Sequence, residues 1–77
     1  MTKIQTPSFS LMAEKWSSPF VSRDQVGKLT GGIVNSRYLA NLDCQGKGPV
    51  GRIRVGRKIA YPVNELVAWL ERKSSAL

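Results

Sequence analysis

Arg37, Ala40, Asn41 and Cys44 recur at i, i+3, i+4 and i+7, which on a helix is a single stripe. The stripe carries residues suited to one kind of chemistry. A guanidinium donates in a fork to the O6 and N7 atoms of guanine, and a carboxamide pairs with the N6 and N7 atoms of adenine. The small Ala40 lets such a helix approach a base edge closely, and the Cys44 thiol could pack on a thymine methyl group. Ser36 and Tyr38 complete the exposed set at the start of this helix. Downstream stand Lys47, Arg52, Arg54, Arg57 and Lys58, cations of the sort that neutralise phosphates. Residues 37–58 hold six Lys or Arg against Asp43 alone, a net +5 within a chain of net +7.

Other chemistries lack their residues. The 77 residues contain no histidine, so the usual neutral-pH base and the commonest metal ligand are missing. A single cysteine allows neither an internal disulfide nor a thiolate metal cluster. Five scattered acids make a paired-carboxylate site improbable. The sequence therefore assigns no catalytic residue, no metal ligand and no cofactor. It describes a small basic binding module whose expected partner is a polyanion.

The stripe needs elements to hold it. A first helix is expected from Ser22, where Ser22 and Gln25 read as a capping box and Val21 and Val26 as a hydrophobic staple. Val26, Leu29 and Ile33 give its core-facing positions, and Gly31-Gly32 ends it. A second helix, bearing the stripe, starts near Asn35-Ser36 and stops before Gly46, with Leu39 and Leu42 turned inward. The two form a helix-turn-helix. After a Gly/Pro loop over 43–51, residues 52–61 read as a β-hairpin. A three-residue turn, Gly56-Arg57-Lys58, would keep Ile53, Val55, Ile59 and Tyr61 on one inward face. Arg52 and Arg54 would then face outward, with Arg57 and Lys58 at the tip. A third helix over 63–73 places Val63, Leu66, Val67 and Leu70 on one side, with Trp69 beside them in the core.

These elements divide the chain into an arm (1–19), a domain (20–73) and a tail (74–77). The arm shows no sustained period and is expected to be mostly flexible and dispensable for folding. Its Trp16 either packs on the domain's own core or anchors a partner. The fold class expected is α+β: a small winged helix-turn-helix of three short helices plus a two-stranded β-hairpin wing. No apolar run reaches the ~20 residues a membrane span needs. The expected compartment is the cytoplasm, at the nucleoid through DNA, with no membrane partner.

The runs Ser36-Arg-Tyr-Leu-Ala-Asn-Leu, Gly46-Lys-Gly-Pro49, Val55-Gly-Arg-Lys-Ile-Ala-Tyr61 and Leu66-Val-Ala-Trp-Leu-Glu71 resemble the MerR-like winged-helix proteins of prophages. These comprise excisionases (recombination directionality factors) and AlpA-type regulators. The resemblance covers about residues 21–73. It implies that the second helix enters the major groove, with Arg37, Asn41 and Cys44 toward bases. It also implies that Arg52, Arg54, Arg57 and Lys58 serve the wing. Two features depart from the pattern: Tyr38 replaces a smaller residue, and the Gly31–Asn35 link is long. The implied role is double-stranded DNA binding beside an attachment site, bending it so that an integrase is directed toward prophage excision. An integrase and further copies of the chain side by side are then the protein partners. A small transcriptional regulator of mobile-element genes is the alternative within this class. A basic RNA-binding protein or a protein-interaction module are rivals from other classes. The first is disfavoured because only Tyr38 interleaves the basic residues; the second leaves the charge unexplained.

Overall fold

The computed structural model describes residues 10–74. Within them lie α1 (Ser10–Lys15), β1 (Phe20–Ser22), a 3-10 turn (Arg23–Gln25), α2 (Val26–Leu29), α3 (Ser36–Cys44), β2 (Ile53–Val55), β3 (Lys58–Pro62) and α4 (Val63–Lys73). The class is α+β: among the described residues, four helices and a three-stranded antiparallel sheet of order β1-β3-β2. The sheet thus has one strand more than the expected hairpin. β1 pairs with β3 in the register Val21↔Tyr61. Three residues are too few for alternation to mark a strand. The tail beyond Ser74, like residues 1–9, lies outside the described residues.

The core forms where α4 meets the sheet and the two central helices. Val63, Leu66, Val67, Trp69 and Leu70 of α4 are buried together with Val21, Val26, Val34, Leu39 and Tyr61. The spacing of apolar residues in α4 anticipates this face in full, and its bounds fall where expected. Part of the segment read as an arm joins the core. α1 packs against α4. Met12, Ala13 and Trp16 lie against the buried cluster. The Trp16 indole donates to the Phe20 carbonyl at 3.0 Å, so its ring covers the domain's own core.

Two expectations about the first helix are corrected. Ser22 and Gln25 form no capping box. The Ser22 side chain makes no cap bond to the helix and donates instead to Asp24. A 3-10 turn intervenes before α2, so the i, i+3 geometry of a box is lost. Ile33 is 70% exposed, and its neighbour Val34 takes the core position. Gly31 and Gly32 both adopt positive φ, ending α2 as expected and rotating the chain by one residue. Val34 is then fixed by Thr30, whose buried hydroxyl accepts from the Val34 amide at 3.2 Å.

The hairpin is corrected too. Val55 pairs with Lys58, Arg54 with Ile59, and Ile53 with Ala60. The turn is therefore the two residues Gly56-Arg57. Gly56 has φ +61° and, among the described residues, no non-glycine residue has positive φ, the signature of a II′ turn with glycine first. Turn chemistry overrides apolar parity here. Ile53 and Val55 lie on the outer face, Val55 being 68% exposed. Arg52 and Arg54 fall on the inward side with Ile59 and Tyr61.

Candidate nucleic-acid interface

Asn35 caps α3, its side chain accepting from the Tyr38 amide at 2.8 Å. The helix is clamped from beneath by Leu39, which is fully buried, and by half-buried Leu42. This leaves Arg37, Asn41 and Cys44 exposed on the opposite side, with Ala40 half-buried between them. The expected stripe is present as one surface. Tyr38 departs from it. The ring is 44% exposed and lines an apolar groove with Ile33, Val34, Trp69 and Leu70, on the side of α3 that faces α4.

The other side of α3 faces the sheet through a buried carboxylate that the sequence reading did not single out. Asp43 has a side chain only 5% exposed. Its Oδ2 accepts from Arg23 Nη2 at 2.6 Å and from the Tyr61 hydroxyl at 2.5 Å. Arg52 Nη1 stands 3.6 Å from Oδ1. A Cβ at position 48 would collide with that same oxygen, so Gly48 is required by close approach. One signal was available in the sequence. Asp43 lies four residues after Leu39, on the inward side of a helix, where an acid needs a partner.

At the start of α3, Ser36 shares a cleft of about 290 Å³ with Arg23, Asp24, Arg57, Lys58 and Ile59. Thus α3 meets the hairpin at both ends, at Arg57 and Lys58 near Ser36, and at Tyr61 and Arg52 near Asp43. The distances agree: Ser36 to Asp43 rises about 10 Å along a helix, and Lys58 to Tyr61 advances about 10 Å along a strand. The 3-10 turn lies between the helix and the hairpin, in contact with both α3 and β3.

The charges divide accordingly. Arg23 and Arg52 are engaged by Asp43, and Lys58 Nζ pairs with Asp24 at 2.6 Å. Arg37, Lys47, Arg54 and Arg57 are exposed and make no ion pair among the described residues. Lys47 is fixed through its backbone: its carbonyl accepts from the Trp69 indole at 3.1 Å and its amide donates to Leu42 at 2.9 Å. The loop cation therefore sits at a set place beyond the end of α3. Arg52, expected to face outward, turns toward Asp43 because the two-residue turn reverses the parity of β2.

Among the described residues no three His, Cys, Asp or Glu side chains come together in a way that would hold a metal ion. No described helix is long and apolar enough to cross a membrane. No family model, curated protein or solved structure matches the chain.

Proposed function

We propose that the chain is a sequence-specific double-stranded DNA-binding protein of the winged helix-turn-helix kind. In this reading α3 enters the major groove and the β2–β3 hairpin is the wing. One observation carries the proposal. The exposed stripe of Arg37, Asn41 and Cys44 lies on a helix that reaches the hairpin through Ser36 at one end and Asp43 at the other, and the nearby hairpin residues Arg54 and Arg57 and the loop residue Lys47 make no ion pair among the described residues. A major groove about 12 Å wide admits one helix, and the phosphates at its rim then meet the flanking ribbon and loop. Arg37 and Asn41 read bases, while Arg54, Arg57 and Lys47 hold phosphates. Tyr38, turned toward α4, supports the helix from its flank rather than reading DNA.

The cellular role we propose is that of an excisionase, bending DNA beside an attachment site so that an integrase is directed toward excision. The chain itself catalyses nothing. The size of the domain supports binding in several copies, since one module covers only about 600–1,000 Å².

Matched titrations on selected and scrambled duplexes test the division of labour. Asn41→Ala should cost about 1–3 kcal/mol on the selected site and little on scrambled DNA. Arg57→Ala should weaken both duplexes alike and flatten the dependence of log K on log salt by about one unit. Equal weakening by Asn41→Ala on both duplexes, together with loss of the selected duplex alone by Arg57→Ala, would reverse the assignment. No effect of either substitution would remove the interface from this surface.

A further inference from the structure

Asp24 is the acid that stands among the cations of the candidate interface. Of the others, Glu14 is on α1, Glu65 and Glu71 are on α4, and Asp43, on the buried face of α3, is already engaged with Arg23 and Tyr61. Asp24 is held in place from two sides. The Ser22 hydroxyl donates to its Oδ1 at 2.5 Å, and Lys58 Nζ donates to its Oδ2 at 2.6 Å. The pairing follows from the sheet. Ser22 lies opposite Ala60 at the end of β1, and the 3-10 turn that follows brings Asp24 to Lys58. Both side chains line the cleft that Ser36, Arg57 and Arg23 share.

We propose that Asp24 competes with the DNA backbone for Lys58 and so restrains binding to duplex of any sequence. The inference rests on the DNA-binding reading above and adds the phosphodiester that its cleft would take, between Lys58, Arg57 and the Ser36 hydroxyl. Both Lys58 and Asp24 are solvent-exposed, with side-chain exposures of 69% and 52%. An exposed pair of this kind is weak and opens readily. A phosphate arriving at the cleft meets a like charge at Asp24 and must draw Lys58 away from it. That cost falls on every duplex, because phosphates carry no sequence, whereas base contacts from α3 are made only on the correct site. An acid so placed raises discrimination by weakening the wrong complex. The hydrogen bonds from Lys58 first, and then from Ser22, lower the Asp24 pKa from its ordinary value, in keeping with a carboxylate held beside a cation.

The test uses the full chain and a fluorescent 20-base-pair duplex of mixed sequence, titrated from 50 to 200 mM salt. Asp24→Asn should bind about three- to tenfold more tightly and steepen the salt dependence by about one unit, as one more cation becomes free for a phosphate. Glu71→Gln makes the same change of net charge on α4 and should shift affinity by less than about twofold, since a distant exposed charge is screened. In a Lys58→Met background, Asp24→Asn should bring no gain. Ser22→Ala, which loosens Asp24 without removing its charge, gives a smaller gain in the same direction. Unchanged or weaker binding by Asp24→Asn, an equal gain from Glu71→Gln, or a gain that survives Lys58→Met would each overturn the proposal while leaving the DNA-binding reading intact. Salt-independent or absent binding by the unaltered chain would overturn both.

Discussion

Asp43 shows how one side chain governs the placement of its neighbours. A buried carboxylate is tolerated only when paired, and its partners here come from three elements: Arg23 of the 3-10 turn, Tyr61 of β3 and Arg52 beside β2. The arrangement has a consequence at high pH. Burial first, and then the hydrogen bond to Asp43, raise the Tyr61 phenol above its ordinary value of 10.0. A raised folded pKa contributes stability that is complete below the unfolded pKa and lost as pH rises through the folded one. The chain should therefore lose stability above about pH 10, in the range where an unfolded tyrosine ionises. Tyr61→Phe has no phenol to titrate, so its melting temperature, lower at pH 8, should approach that of the unaltered chain as the pH is raised from 9 to 11. Parallel curves across that range would place the alkaline sensitivity elsewhere.

Among the elements, those with a full helical period were legible from sequence and those made by tertiary contact were not. The apolar spacing of Val63, Leu66, Val67 and Leu70 located α4, and Asn35 and Gly46 bracketed α3. α1 escaped notice because Met12, Ala13 and Trp16 span barely more than one turn, and their burial depends on α4. β1 exists because β3 offers it an edge, as Val21 and Tyr61 show. The candidate interface was legible where it rests on α3. It was misread on the hairpin, where an appeal to one apolar face displaced the simpler demand of a glycine-first, two-residue turn. That turn makes a prediction about the element. With φ at +61°, Gly56→Ala places a side chain in left-handed backbone and should cost about 1–2 kcal/mol. Replacing Gly56-Arg57 by Asn-Gly, which suits the other two-residue hairpin turn, should retain the register and melt near the unaltered chain. Equal destabilisation of both variants in thermal melts would contradict the two-residue turn.

At the scale of the molecule, net charge and folded shape make different claims on a polyanion. A net charge of +7 favours any polyanion whether the chain is folded or not, and charge alone gives no preference between the two states. The folded state adds geometry, holding Arg37 and Asn41 on one exposed side of α3 and Arg54 and Arg57 on the hairpin. A ligand that prefers this arrangement must stabilise it, by about 2.7 kcal/mol at a hundred times its Kd, reduced by whatever the unfolded chain also binds. A domain of this size has only a few kcal/mol of margin, and each kcal/mol moves its midpoint by about 4–8 °C. Saturating duplex at 150 mM salt should therefore raise the melting temperature by roughly 10 °C or more. A flexible polyphosphate of equal charge, which fits folded and unfolded chains alike, should raise it by much less. Differential scanning fluorimetry with both ligands separates the cases. Equal shifts would mean that the basic composition alone engages the polyanion and that the surface formed by α3 and the hairpin adds nothing to it.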